Sequence, residues 1–267
     1  MHRSILPKMH HIQKASGDYE KYDRNKLLSS LLAAGLSEDR AMEIVREVES
    51  SGRISTTRDL HEIVKERLLR RYPVVAARYS LKEAIMKLGP TGFPFEEYIA
   101  QVFRSLGYHV ETHQFIRGRC VTHEIDLLID GRKIGECKYH NARGIYTGLK
   151  EAMYTYMRFL DIGEIRKLDG VILITNTKFS REAIEFSRCY GLSLLGWKYP
   201  RRRGLEAMIE SSGVYPITVL SGILRDEEIT SLIGSGVISV NQLVMRGRVR
   251  EEAYQVAREL VRFAKKT

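Results

Sequence analysis

An aspartate, a glutamate and a lysine gather in the middle of the chain: Asp126 in "EIDLLID", then Glu136 and Lys138 in "GRKIGECKYH". Alternate side chains of a strand share a face, so Glu136 and Lys138 point one way and Cys137 the other. Cleaving a phosphodiester needs an activated water and something to absorb charge in the transition state. Carboxylates holding Mg²⁺ do the second, and a lysine orients or deprotonates the water. These residue types on one hairpin are half of a metal-dependent site. The plain alternative is a surface ion pair on an amphipathic strand.

Register separates the two. With a strict two-residue Asp130-Gly131 turn, 126 opposes 135, and Asp126 and Glu136 face opposite sides of the sheet. A three-residue loop, 130–132, sets 126 opposite 136 and both on one face. The metal-site reading therefore requires an odd loop or a bulge; the ion pair requires neither.

The 267 residues exceed one typical domain, and 43% hydrophobic content is enough for real cores. Lys and Arg outnumber Asp and Glu by 43 to 33, a net charge of +10 that favours polyanionic partners. The excess lies before residue 205; the remaining segment is neutral. Three scattered cysteines, Cys120, Cys137 and Cys189, fit a reducing cytoplasm and argue against a disulfide frame or zinc site. No apolar run approaches the roughly 18 residues a bilayer requires, and the start lacks a signal peptide's apolar stretch. The expected location is cytoplasmic, with no membrane partner.

"LGPTGFP" (88–94) and "KYPRRRG" (198–204) break the chain into three units. Residues 1–90 read as a hairpin around Ser16-Gly17 under four helices, with Asp23 as an N-cap and positions 42, 44, 45 and 48 on one stripe. Residues 91–200 read as a helix, strands flanking an Asp130-Gly131 turn, a helix over "GIYTGLKEAMYTYMRFLDI", a buried strand, a helix and a short last strand. Residues 205–267 read as helices with glycine-rich turns. The expected fold class is multidomain α/β.

The middle unit resembles the PD-(D/E)xK nuclease superfamily, and within it the Mrr-like restriction endonucleases, over about residues 91–198. "PFEEYIAQVFRSLGYHV" is similar to that group's opening helix and strand, "EIDLLIDGRKIGECK" to its D…ExK core, and "LITNTKFSREAIEFSRCYGLSLLGW" to its closing elements. The resemblance implies a central mixed sheet. It also implies an Mg²⁺ or Mn²⁺ site made by Asp126, Glu136 and the Cys137 carbonyl, with Glu96 nearby as the helix carboxylate and Lys138 addressing the water. Many Mrr relatives carry Gln where Glu136 stands, so this triplet follows the broader superfamily. A fold that has lost activity is the competing expectation.

Other candidates read as structural. His109 and His113 alternate as in a strand and are expected at the surface, and His140 in an exposed loop. Lys150, Tyr154 and Arg158 share a helix face and would reach a nucleic-acid backbone, although tyrosines there more often pack. Arg201, Arg202 and Arg203 read as a solvated linker, with a phosphate contact as the alternative.

"IQKASGDYEKYDRNKLLSSLLAAGL" through "YPVVAARYSL" resembles an ATP-cone domain, known as a nucleotide-sensing module, across nearly all of residues 10–90. Gly17 permits a tight turn, and Lys14 and Lys26 would meet across hairpin and helix to neutralise phosphates; a small helical cap that no longer binds nucleotide is the alternative. Thr57 and His61 sit where the family approaches the nucleotide. Ala15 stands where a second basic residue usually follows Lys14. "ITSLIGSGVISVNQLV" resembles a helix-hairpin-helix or SAM-like module, in which Gly234 and Gly236 would let backbone N–H groups approach a phosphate; a packing or dimerisation unit is the alternative.

Together these imply a cytoplasmic, Mg²⁺-dependent DNA endonuclease of restriction or repair type, tuned by ATP or dATP as allosteric nucleotide. The alternative is a nucleotide-sensing DNA-binding regulator with an inert nuclease fold. No GxxxxGK[ST] loop supports an ATP hydrolase. Cut site, oligomeric state and the sign of the nucleotide effect are left open by the sequence.

Overall fold

The computed structural model describes residues 12–13, 19–51, 54–142, 144–246 and 249–264. The first unit pairs β1 (Ile12–Gln13) with β2 (Tyr19–Glu20), antiparallel, ahead of α1 (Arg24–Ala33), α2 (Glu38–Ser50), α3 (Thr57–Arg71), α4 (Pro73–Tyr79) and α5 (Leu81–Ile85). Asp23 caps α1, accepting the N–H groups of Asn25 at 2.9 Å and Lys26 at 3.2 Å. Thr56 and Asp59 cap α3 reciprocally. On α2 the buried stripe is Ala41, Ile44, Val45 and Val48, with Ala41 taking the place expected of residue 42. The expected fourth helix is two helices, because its ends serve different cores. Ala76 of α4 packs with the first unit, while Leu81, Ala84 and Ile85 of α5 pack with the rest of the molecule.

The middle unit runs α6 (Phe93–Ser105), β3 (Val110–Arg117), β4 (Thr122–Ile129), β5 (Lys133–Lys138), β6 (Tyr146–Thr147), α7 (Leu149–Gly163), β7 (Gly170–Thr175), β8 (Lys178–Phe179), α8 (Arg181–Tyr190) and β9 (Ser193–Leu195). The main sheet is mixed, ordered β3-β4-β5-β7-β9, with β3, β4 and β5 antiparallel and β5, β7 and β9 parallel. The helix expected from residue 144 begins only at Leu149. Ahead of it, Tyr146 and Thr147 pair with β8, and Thr147 is buried against Thr175.

The C-terminal segment comprises α9 (Leu205–Ser212), a 3-10 helix (Ile217–Leu220), α10 (Asp226–Gly234), α11 (Val240–Arg246) and α12 (Glu251–Ala264). Its apolar residues do not form a separate core. Val214, Leu220, Leu243 and Leu260 join one cluster with Tyr98 and Val102 of α6, Leu127 and Ile174 of the sheet, and Ile85 of α5. The opposite sheet face packs under α7 and α8 through Leu128, Ile134, Leu173, Ala152 and Ala183. Among the described residues, no helix is long and apolar enough to cross a membrane.

One rung breaks the sheet's alternation. Leu127 and Ile129 belong to the core under α6, yet Ile125, two residues back, belongs to the core under α7. On β3, Val110 and Ile116 divide the same way, although their spacing is even. Between them sits His113, opposite Asp126 in the register and held at φ 54°. A left-handed residue inside a strand rolls the pleat over.

Candidate functional site

The loop between β4 and β5 decides what Asp126 meets. Asp130 and Gly131 both have positive φ, 50° and 68°, as a tight mirror-image turn demands, and the Arg132 N–H donates to the Ile129 carbonyl at 3.1 Å. Arg132 is the extra residue: its carbonyl leaves the hairpin ladder to accept the Asp169 N–H at 2.7 Å. Ile129 therefore pairs with Lys133 and Leu127 with Gly135, which continues to Asp126 opposite Glu136. This is the odd loop that the metal-site reading required. Beyond Leu127 the ladder opens, and the Asp126 carboxylate turns into the gap to accept the Cys137 N–H at 2.7 Å.

Around that gap three carboxyl groups repel one another. Glu96, in the first turn of α6, is pushed up to about 7 by burial and by Asp126, Glu124 and Glu97. Glu136 is pushed up to about 7 by burial and by Asp126 and Glu96, against the pull of Arg158 and Lys138. Burial also raises Asp126, opposed by the Cys137 N–H and by Arg158 and His113. Gly92 gives Glu96 its room: a Cβ there would stand 2.8 Å from Glu96 Oε1. Lys138 is exposed beside Glu136 on β5. The Cys137 thiol is buried in the core under α6, as alternation required.

Two further groups belong here, one expected as a nucleic-acid contact and the other as a surface residue. Arg158 of α7 donates to Glu136 and to the Glu124 carbonyl, so it serves the carboxyl cluster instead of facing a nucleic-acid backbone; Tyr154 lies under its guanidinium, 5.1 Å to the ring centroid. His113 is no free surface residue. Its ring stacks on Phe93 with centroids 4.6 Å apart and lies 3.6 Å from Glu96 and 3.4 Å from Glu97. No motif marks a left-handed histidine in a strand, so only the backbone reveals it.

The expected metal ligands, Asp126, Glu136 and the Cys137 carbonyl, are not assembled as a metal cage. Among the described residues no group of three or more His, Cys, Asp or Glu could hold an ion as it stands. The reason is visible: Arg158 supplies positive charge to Glu136, and Asp126 commits an oxygen to Cys137 N–H. His140 stands in the loop after β5, as expected, but is half-buried where exposure was expected, its N–H bonded to Asn176 and its ring to Thr147. Arg201, Arg202 and Arg203 are exposed, as expected of a solvated linker. His109 is exposed too.

In the first unit a cavity of about 260 Å³ opens beside β2 and α1, lined by Lys26 and Thr57 together with Tyr22, Asp23, Leu60 and Tyr79. Lys26 pairs with Glu20 at 2.6 Å. Lys14 and Gly17 lie outside the described residues, as does Ala15. His61 does not line this cavity. It stacks on Tyr79, centroids 4.9 Å apart, and meets Glu83 at 3.2 Å, which turns it toward a larger cavity of about 690 Å³ between the first unit and the sheet.

Residues 10–87 match the ATP cone domain family. A protein of Archaeoglobus fulgidus, known only as an uncharacterized protein, is 41% identical over 175 residues, which is 63% of this chain and 98% of that protein. A crystal structure of a protein of unknown function, AF1548, is 36% identical with a TM-score of 0.52, covering 66% of this chain and 97% of that one. The chain belongs to the family of that archaeal protein, and it carries an ATP cone domain over residues 10–87.

Proposed function

We propose that the protein is a divalent-cation-dependent DNA endonuclease whose activity is tuned by ATP or dATP at the cone. The observation that carries this is the convergence of Glu96, Asp126 and Glu136 across the three-residue loop, with the Lys138 ammonium exposed beside them. Hard oxygen donors that repel one another are the chemistry a hard cation relieves. A bound Mg²⁺ or Mn²⁺ would neutralise charge building on the phosphate. Asp126, Glu136 and Glu96 would hold such an ion, with Glu136 exchanging its Arg158 partner for it. Lys138 orients the attacking water, and the Cys137 backbone fixes Asp126. The positive charge of the first two thirds of the chain suits the polyanionic substrate.

One observation favours a second reading. Arg158 already neutralises Glu136 from within, which suits a nuclease fold that binds DNA without cutting it and reports nucleotide through the cone.

The test is cleavage of plasmid and short branched DNA with Mg²⁺ or Mn²⁺, with and without ATP or dATP. Wild type should cut, and Asp126→Ala and Lys138→Ala should each lose at least about a hundredfold in rate while still binding DNA. Binding should weaken steeply with salt as counterions are released. Salt-sensitive binding with no cutting on any substrate would select the inert regulator.

A further inference from the structure

The backbone that presents Lys138 is gripped from two sides. At the end of β7, the Thr175 hydroxyl donates to the Lys138 carbonyl at 2.8 Å. The next residue, Asn176, is fully buried and holds both backbone groups of His140. Its Oδ1 accepts the His140 N–H at 2.9 Å, and its Nδ2 donates to the His140 carbonyl at 2.7 Å. One amide side chain thus does the work of an adjoining strand where the sheet has ended.

The second grip comes from the cone. Lys82 of α5 donates to the Asn176 carbonyl, and Asn176 Nδ2 also reaches Met86 Sδ at 3.2 Å. Tyr139, between Lys138 and His140, donates its hydroxyl to the Met86 carbonyl at 2.6 Å. Lys82 and Met86 both fall within the ATP cone domain. The same helix carries Glu83, which pairs with His61 and Lys65 of α3, and His61 stacks on Tyr79, a wall of the cavity holding Lys26 and Thr57. A ligand that shifts Tyr79 therefore shifts α5, and α5 is bonded to the segment that aims Lys138.

We propose that Asn176 is a positioning residue that joins α5 to Lys138, so that nucleotide in the cone sets where the lysine stands. The role of Lys138 in this statement rests on the nuclease reading; the mechanical link does not. Coupling of this kind is commonly worth about 5- to 150-fold between two sites.

Hydrogen-exchange mass spectrometry on the full chain, with and without saturating ATP or dATP, tests the link without requiring cleavage. In wild type, nucleotide should change exchange in peptides spanning 138–141 by about 5-fold or more. Lys82→Met cuts one tie to α5, keeps those through Met86 and leaves Asn176 on His140; Asn176→Asp keeps the Oδ1 contact and removes both Nδ2 donations. Each should bind ATP with wild-type affinity by calorimetry yet lower the exchange ratio at least severalfold toward one, the remaining response running through Tyr139 and Met86. If Asn176→Asp does not fold, Lys82→Met decides alone. An unchanged ratio in Lys82→Met, a wild type whose 138–141 exchange ignores bound nucleotide, or no binding of ATP or dATP would each overturn the proposal. DNA cleavage measured in parallel separates the two ideas: a responding segment without cleavage keeps the link and removes the nuclease, and cleavage without a response does the reverse.

Discussion

Glu96 and Glu136 keep protons to about pH 7 because they are buried beside each other and Asp126. An unfolded glutamate releases its proton near 4.5. Between those values the folded chain binds more protons than the unfolded one, so stability falls as pH rises through this window and levels off above it. Glu96→Gln removes one of these groups. In EDTA it should stabilise the fold at pH 8 by on the order of 1 kcal/mol and have little effect at pH 4, read by urea denaturation at both values. An equal effect at both would mean that packing, not ionisation, is what Glu96 contributes. His113 sits at the same scale. A non-glycine residue at φ 54° in a strand costs energy that its neighbours must hold in place, and strain of this kind gathers at functional sites.

At the scale of elements, α8 shows what local chemistry decides. Ser180 accepts the Ala183 N–H at 3.2 Å to start it, and Gly191, at φ +74°, ends it with its N–H on the Ser187 carbonyl. A Cβ at Gly191 would meet nothing within 4 Å, so Gly191→Ala isolates the backbone term. It should cost about 1 kcal/mol, measured by chemical denaturation. A neutral result would mean that the helix end readjusts. Local rules fail at α4 and α5, where the residues read as one continuous helix. They fail again at β6, where Thr147 is drawn into a strand pair by His140 and Thr175.

At the scale of the molecule, the C-terminal helices complete the core under α6 instead of standing apart. Tyr98 marks the junction: fully buried, it donates its hydroxyl to the Val214 carbonyl at 2.6 Å. Tyr98→Phe should cost about 1–2 kcal/mol, because the buried carbonyl loses its donor. The loss should appear as a shift of one transition spanning the sheet and the C-terminal helices, followed by fluorescence of the single Trp197 and by far-ultraviolet circular dichroism. Two separate transitions, with only one displaced, would show that the segments fold independently despite their common core.

Periodicity, caps and turn residues in the sequence were enough to locate α2, α6, α8 and the strands of the main sheet, and to bring Asp126, Glu136 and Lys138 to one hairpin, because those signals act over a few residues. The sequence also posed the register question sharply, but it could not answer it. Arg132 leaves the ladder only because Asp169, far along the chain, takes its carbonyl. The same limit hid Arg158 on Glu136, His113 against Glu96, and Asn176 clamping His140. Each depends on a partner brought close by packing between elements, and a partner's position in space is not written in the spacing of residues along one strand.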